Sequence, residues 1–171
     1  MSWNNGPMRV FHGTTKRHLS SIKSGISLTA TKSLTDFGNG FYTTTNKTQA
    51  QRWALRKAKR EYFEGHRLDL DPVVLEFSID RNLIAKLESL CFVSGHYQSS
   101  DYWDLVIHCR SNKFATNRLA LGWYDVVYGP VATRWDGPPK ERRTRPSFDQ
   151  ISFHTKAGLS LLCLVRIFEV P

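Results

Sequence analysis

The chain has few cysteines and no long apolar run. Its three cysteines, Cys91, Cys109 and Cys163, lie far apart in 171 residues, and they show neither zinc-ligand spacing nor a disulfide framework. This predicts buried, reduced thiols in a cytosolic protein that holds no metal. No apolar run is close to the length needed to cross a bilayer, which is about 20 residues. Residues 1–7 also lack the basic-then-apolar pattern of a signal peptide. We therefore expect a cytoplasmic protein with no membrane partner.

Acidic residues are also scarce, with 15 Asp and Glu against 24 Lys and Arg and a formal net charge of +9. An excess of this size attracts polyanions over long range but specifies no fold. Both a solvated basic surface and a nucleic-acid partner agree with it. Apolar residues make up 40% of the chain and no internal repeat is present. We expect residues 1–171 to form a single domain with its own core.

Short strands and helices are predicted in alternation, without the regular spacing of βαβ units. Strand patterns cover residues 8–11, 41–45, 73–79, 123–131, 150–154 and 163–170. Helical patterns cover residues 16–24, 48–63 and 102–109, and residues 156–162 form a short helix or a turn. In the helix over 48–63, Ala50, Trp53, Ala54 and Ala58 are predicted to share one face. The sequence predicts an α+β fold with mostly antiparallel sheets and flanking helices.

The stretch Asp-Phe-Gly-Asn-Gly-Phe-Tyr at residues 36–42 has the strongest functional pattern. Two glycines before a strand allow the backbone to pass close to a ligand. Alternation along the strand places Phe41 and Tyr42 on opposite faces, so that one joins the core and the other can line a cleft. Upstream, His12 ends a predicted strand and is followed by Gly13.

These two stretches, His-Gly-Thr at 12–14 and residues 36–42, resemble the active-site motifs of ADP-ribosyltransferases of the diphtheria-toxin and poly(ADP-ribose) polymerase type. Together with residues 124–132 and 150–155, they are also similar to uncharacterised bacterial proteins that look like toxins of toxin–antitoxin pairs. The resemblance covers nearly the whole chain. It implies the ADP-ribosyltransferase-like fold, two packed and mostly antiparallel sheets with flanking helices, with NAD as co-substrate and no metal.

The resemblance also implies roles for individual residues. His12 hydrogen-bonds the adenosine-ribose side of NAD, the backbone of Gly13 holds the carboxamide, and Tyr42 and Trp53 sandwich the nicotinamide ring. Aromatic stacking of this kind contributes about 0.5–1.5 kcal/mol beyond area burial. The predicted cofactor-binding residues are His12, Gly13, Thr14, Gly40, Tyr42, Trp53 and Gln150, and the predicted catalytic residues are His12, Tyr42 and Gln150.

Gln150 occupies the position at which the resembled enzymes have a glutamate. That carboxylate binds the 2′-hydroxyl of the nicotinamide ribose and places negative charge near the developing oxocarbenium ion. Glutamine keeps the acceptor oxygen and lacks the charge. The domain then either transfers ADP-ribose with electrostatic help from elsewhere or binds NAD without turnover. Asp149 is expected to point to the other sheet face, and Glu141 is an alternative carboxylate on the preceding loop.

The loop before Gln150, residues 134–146, has five basic and two acidic residues. In the resembled folds this loop contacts the acceptor, and arginines mixed with aromatics can neutralise phosphates and stack on unpaired bases. A second basic cluster lies at residues 52–60. We expect nucleic acid as acceptor, with RNA favoured over single-stranded DNA, and an acidic antitoxin as protein partner. The predicted substrate-binding residues are Arg134, Trp135, Arg142, Arg143, Arg145 and Phe148.

The sequence thus predicts an NAD-dependent mono-ADP-ribosyltransferase that acts as a bacterial toxin or phage-defence effector. One alternative is a transferase with a protein target, and another is an NAD glycohydrolase with water as acceptor. A third is a catalytically inactive domain that binds nucleic acid or a partner protein. The NAD-dependent transferase that removes a 2′-phosphate from RNA shares the implied fold and ranks last, because its paired arginines and second histidine find no match here.

Overall fold

The computed structural model describes residues 5–28, 34–93, 99–111 and 124–171. The strands are β1 (Met8–Thr15), β2 (Phe41–Thr43), β3 (Pro72–Ile79), β4 (Ser89–Cys91), β5 (Val126–Thr133), β6 (Arg143–Phe153) and β7 (Cys163–Glu169). The α-helices are α1 (Leu19–Ser24), α2 (Lys47–Phe63), α3 (Arg81–Ile84), α4 (Ser100–Ser111) and α5 (Lys156–Ser160). The predicted α+β class with antiparallel sheets and flanking helices is confirmed.

The chain forms two compact units, of which the first, unit 1, contains β1, α1, α2, β3, α3 and β7. Its sheet has the order β1-β3-β7, and both pairs of neighbours are antiparallel. Asn46 caps α2 by accepting a 3.1 Å hydrogen bond from the Gln49 N–H, which satisfies one of the free donors at a helix start. Ala50 and Ala54 of α2 are buried with Val10 of β1 and with the apolar residues of β3, and together they form the core of unit 1. The buried β3 residues are Val73, Val74, Leu75, Phe77 and Ile79.

Unit 2 contains residues 34–42 of the described chain together with β4, α4, β5 and β6. The second sheet has the order β2-β6-β5-β4; β5 and β6 are antiparallel, whereas β4 and β5 are parallel. The core of this unit contains Phe37, the α4 residues Tyr102, Leu105, Val106 and Cys109, and the β5 residues Val127 and Ala132. Phe37 therefore anchors the stretch 36–42 in a core built by α4 and β5. Whether residues 1–171 fold as a single domain stays a prediction.

Several sequence-based boundaries differ from the structure. Strand β1 continues through His12 to Thr15, so His12 does not end the strand. Strand β6 begins at Arg143, within the segment predicted as a loop, and the register of its pairing with β5 shifts between Pro130 and Val131. Residue 123 of the predicted strand 123–131 lies outside the described residues.

The prediction of buried thiols is wrong for two of the three cysteines. None of the three, all of which lie among the described residues, forms a disulfide; Cys91 and Cys163 are exposed and Cys109 is buried. Burial raises the pKa of the Cys109 thiol to about 12, which keeps it protonated. The buried face of α4 consists of Tyr102, Leu105, Val106 and Cys109.

Candidate functional site

Gln150 lies in the middle of a buried hydrogen-bond network in unit 2. Strand β6 places it opposite Gly129 of β5, and the residue is 8% exposed. Its side-chain Nε2 donates to Oδ2 of Asp36 at 2.6 Å and to the backbone carbonyl of Pro130 at 2.9 Å. Both amide protons are therefore used, and the orientation of the carboxamide is fixed.

Asp36 is the acceptor at the centre of this network, and it is 2% exposed. Its Oδ1 accepts a hydrogen bond from Nε of Arg110 at 2.5 Å and lies 2.5 Å from Nη2 of the same guanidinium in an ion pair. Its Oδ2 accepts from the Ala132 N–H at 2.8 Å as well as from Gln150. Charge-assisted hydrogen bonds of this kind are about twice as strong as neutral ones, and they stabilise a carboxylate that burial would otherwise disfavour.

This network explains why residue 150 is glutamine in this chain. A glutamate in the same rotamer would place a carboxylate oxygen against the Asp36 carboxylate and the Pro130 carbonyl, neither of which can donate. Within the described part of the chain, Oε1 of Gln150 accepts no hydrogen bond. A hydroxyl group of a ligand can therefore donate a hydrogen bond to Oε1 of Gln150.

Tyr42 is fixed through its hydroxyl group. The hydroxyl donates to the Gly38 carbonyl at 2.7 Å and accepts from the Phe37 N–H at 3.0 Å. Burial raises the pKa of Tyr42 above its ordinary value, so the phenol stays protonated and cannot act as a base near neutral pH. The two hydrogen bonds fix the position of the ring relative to the backbone of Phe37 and Gly38. The residue as a whole is partly exposed.

His154 holds the loop that precedes Tyr42. Its Nδ1–H donates to the Asn39 carbonyl at 2.7 Å, and its Nε2 lies 2.7 Å from the Ser152 hydroxyl. Since a carbonyl only accepts, the neutral ring carries its proton on Nδ1 and Nε2 accepts from Ser152. Burial lowers the pKa of His154 to about 4, so the ring is neutral in the folded protein. The ring of Tyr42 packs edge-on against it, with centroids 6.3 Å apart.

Gly40 is required by this packing. A Cβ at this position would lie 2.7 Å from Nδ1 and Cε1 of His154 and 2.9 Å from the Phe153 carbonyl oxygen. Real Cβ atoms essentially never approach other atoms so closely. The glycine that the sequence pattern assigned to ligand approach therefore has a packing role in this loop.

In unit 1, the predicted residues His12, Gly13 and Thr14 are consecutive on β1. A Cβ at Gly13 would lie 2.0 Å from the Ala50 carbonyl oxygen of α2, so glycine is needed for the close approach of helix and strand. His12 is half-buried and pairs with Leu75 of β3. The Thr14 hydroxyl is fully buried and has no hydrogen-bond partner within the described residues.

Trp53 lies on α2 in unit 1 and is 54% exposed. The predicted grouping of Trp53 with Ala50 and Ala54 on one face is wrong, since both alanines are buried and the indole is largely in solvent. A core-anchor role is therefore excluded for Trp53. An exposed tryptophan keeps a large ring face for contact with a ligand or partner.

The predicted acceptor loop uses several of its side chains to hold its own conformation. Arg142 Nε donates to the Gly137 carbonyl at 3.2 Å, and Arg143 Nη1 donates to the carbonyls of Lys140 and Arg142 at 2.7 and 2.8 Å. Arg145 lies 4.6 Å from the ring centroid of Phe148. These contacts give the loop an ordered, positively charged surface on which Arg134 and Arg143 are exposed.

Trp135 differs from the other residues predicted for this loop. It is partly buried and packs against the core cluster of unit 2, and the Arg110 guanidinium lies 5.6 Å from its ring centroid. Its ring is therefore already engaged by the fold, which leaves less of it for a stacked base. Glu141, the alternative carboxylate, is exposed in a short 3₁₀ turn, Pro139–Glu141.

Sequence reasoning did not assign roles to Asp36, Arg110 and His154. Asp36 and His154 lie inside the motifs that carry the resemblance, and that position was the available signal. Arg110 gave none, because it lies 74 residues from Asp36 in the chain. Among the described residues, no cluster of His, Cys, Asp or Glu is arranged to hold a metal, and no described helix is long and apolar enough to cross a membrane.

A family described as "Protein of unknown function (DUF3990)" matches residues 8–134. The match covers more than half of the chain, and the chain belongs to this family. The matched region includes His12, Asp36, Tyr42, Trp53 and Arg110, and it ends before β6 and Gln150. The chain matches none of the curated proteins.

Proposed function

We propose that the protein is an NAD-dependent mono-ADP-ribosyltransferase that acts as a bacterial toxin or phage-defence effector. The observation that carries the proposal is the fixed carboxamide of Gln150, whose two donors are bound to Asp36 and Pro130. Its Oε1 is a positioned acceptor for a ribose hydroxyl, the role that the resemblance assigns to this position. The loop before Tyr42 is equally fixed, through His154 and the Tyr42 hydroxyl.

The network also offers the negative charge that glutamine lacks. The Asp36 carboxylate accepts a hydrogen bond from the Gln150 amide, which draws electron density toward Oε1 and strengthens it as an acceptor. The charge thus lies one hydrogen bond behind the atom that would contact the ribose. As nicotinamide leaves, C1′ of the ribose gains positive character, and a nearby negative charge stabilises that transition state. Arg110 offsets part of this effect.

In unit 1, the resemblance assigns the adenosine side of NAD to His12, the carboxamide to Gly13 and one face of the nicotinamide to Trp53. The exposure of Trp53 supports this assignment, because a tryptophan buried in the core could not contact a ligand. Thr14 is a weaker candidate, because its hydroxyl is buried.

Nucleic acid is the proposed acceptor, with RNA favoured over single-stranded DNA. The loop over residues 134–146 has an excess of basic residues, and its exposed arginines can neutralise phosphates. A protein acceptor with acidic groups near the modified residue is the alternative.

The proposal is tested by incubating the purified protein with NAD labelled in its adenylate part, alone and with total RNA, single-stranded DNA or cell protein. Nicotinamide release and label transfer are measured for the wild type and for Gln150→Ala, with Gln51→Ala on α2 as the matched control. We expect the wild type and the control to release nicotinamide and to label RNA, and Gln150→Ala to be slower in both.

Three other outcomes would contradict the proposal in whole or in part. Release of nicotinamide without transfer of label would replace the transferase by an NAD glycohydrolase. No release from the wild type with any acceptor would overturn the enzymatic proposal and leave a binding domain. A Gln150→Ala variant as fast as the wild type would remove Gln150 from the mechanism.

A further inference from the structure

Helix α2 has a continuous basic face that the proposed NAD chemistry does not use. The face contains Arg52, Arg56, Lys59 and Phe63, all exposed, and these four residues are called the α2 stripe. Their spacings of four, three and four residues place them on one side of a helix with 3.6 residues per turn. The buried residues Ala50, Ala54 and Glu61 lie on the opposite side.

The single carboxylate of α2 lies on the side of the helix opposite to this face. The one acidic residue of the helix is Glu61, whose Oε2 accepts from the Thr15 hydroxyl at 2.7 Å and whose Oε1 lies 2.6 Å from His18 Nε2. Its charge is therefore used inside unit 1. Arg60, at the edge of the stripe, forms a 3.7 Å ion pair with Glu64. An exposed ion pair of this kind is weak.

The stripe ends in an exposed aromatic residue. Phe63 is 74% exposed, and Lys59 Nζ lies 5.9 Å from its ring centroid. The adjacent Tyr62 is 53% exposed. A purely solvated basic helix has no need for a phenylalanine in water at its end, whereas a stacked base would cover that ring.

We infer that the α2 stripe binds single-stranded nucleic acid, with the three cations on successive phosphates and Phe63 stacked on a base. Along the helix axis the cations are spaced by about 6 Å and 4.5 Å. They are carried on long side chains that can adjust to a flexible backbone. An acidic protein surface could pair with the cations, but its carboxylates would offer the Phe63 ring no stacking face, whereas every base does. The inference rests on the proposed function in one respect: its ligand, nucleic acid, is the acceptor proposed above.

The test measures binding without NAD, by fluorescence anisotropy of a labelled RNA strand of about 16 nucleotides, a length that covers the usual site size. Binding by three phosphate contacts predicts that the logarithm of the affinity falls with the logarithm of salt concentration with a slope of about −2. The variant Arg52→Gln/Arg56→Gln/Lys59→Gln should lose most of that slope. The control Arg17→Gln/Arg81→Gln/Lys86→Gln removes three exposed cations elsewhere in unit 1 and should keep it.

A second variant tests the aromatic contact. Phe63→Leu should weaken binding of the single strand about fivefold or more and leave the salt slope unchanged, because no charge is removed. Since Phe63 is exposed, this substitution should leave folding intact. Duplex RNA, whose bases are already stacked, should show no effect of Phe63→Leu.

Three results would overturn the inference: equal loss of affinity in the stripe and control triple variants, wild-type affinity in Phe63→Leu, or poly-glutamate competing as well as RNA. The last result would identify an acidic protein as the partner. Nicotinamide release by the wild type distinguishes the two proposals. A protein that cleaves NAD but binds no strand through α2 contradicts this inference alone, and one that binds the strand but leaves NAD intact contradicts the enzymatic proposal alone.

Discussion

Gln150 Nε2 and Asp36 Oδ2 are joined by a 2.6 Å hydrogen bond across 114 residues of sequence. This bond determines which chemical group residue 150 can have. A second carboxylate at this position would face the first at hydrogen-bond distance without a proton between them, in a place where water cannot screen the repulsion. The glutamine is therefore a requirement of the Asp36 site and not a neutral replacement for glutamate.

The first prediction concerns Gln150→Glu. At neutral pH we expect the free energy of unfolding to fall by about 3 kcal/mol, because an unpaired buried charge replaces an amide that made two hydrogen bonds. The like charge and burial raise the folded-state pKa of the new carboxyl above its unfolded value. The loss should therefore grow as pH rises through that pKa and shrink at acidic pH. Urea denaturation at several pH values measures this, with Gln51→Glu on α2 as the control.

The second prediction is a strong coupling between Asp36 and Arg110. Arg110→Met leaves the Asp36 carboxylate buried without its cation, and Asp36→Asn leaves the guanidinium with a weaker acceptor. Each single change should cost about 2–3 kcal/mol, less than for a fully buried pair because Arg110 is 25% exposed. The double variant should cost less than the sum, with a coupling energy of about 1–2 kcal/mol.

The matched control for this cycle is the ion pair between Arg9 and Glu76, 3.1 Å apart in unit 1, whose arginine is 48% exposed. Its coupling energy should lie below about 1 kcal/mol. Equal coupling energies in the two cycles would show that burial of Asp36 does not strengthen its pair.

The third prediction is a pH dependence of stability due to His154. The pKa of its ring is about 4 in the folded protein and about 6.5 in the unfolded chain. Below pH 6.5 the unfolded state binds a proton that the folded state does not, so stability is full above that pH and falls toward pH 4. Between pH 6.5 and pH 5 the loss should be about 2 kcal/mol, since one pKa unit corresponds to about 1.36 kcal/mol.

Urea denaturation from pH 5 to pH 7.5 tests this, with His154→Gln expected to remove most of the slope. Glu61 is the comparison group. Burial alone would raise its pKa, but hydrogen bonds from His18 and Thr15 and the charges of His18 and Lys57 outweigh burial and lower the pKa below 4.5. Stability from Glu61 is therefore lost at lower pH than stability from His154. An unchanged slope in His154→Gln would rule out the buried neutral histidine as its source.

Local patterns predicted the two longest helices well but missed α3, Arg81–Ile84. The predicted helix 48–63 corresponds to α2, Lys47–Phe63. Its apolar spacing and the glycine that follows it can both be read from the sequence, and Gly65 has the positive φ of 94° that favours glycine at a helix end. The start of strand β6 was predicted seven residues too late, because a proline and two arginines resemble a loop when the partner strand is unknown. Pairing with β5 and a register shift accommodate these residues.

The candidate site was only partly readable. The resemblance pointed to Gln150 and Tyr42, but the network that fixes them depends on contacts between residues far apart in sequence. Asp36 and Arg110 meet only because α4 and residues 36–42 share a core around Phe37. The helical pattern did not show how exposed Trp53 is, because it grouped this residue with the alanines that prove to be buried. Helical periodicity could not decide whether a tryptophan at the edge of the alanine face joins it.

The last prediction uses the exposure of Trp53. Trp53→Ala should change the free energy of unfolding by less than about 1 kcal/mol, because the indole is 54% exposed. If the ring stacks on nicotinamide as proposed, KM for NAD should rise about two- to tenfold, the loss expected for one aromatic contact. Trp53→Phe should recover most of the affinity. Leu55→Ala, which removes a 45% exposed apolar side chain from the same helix, should leave KM unchanged. If NAD protects wild type and Trp53→Ala equally against thermal unfolding, the indole has no part in binding the coenzyme.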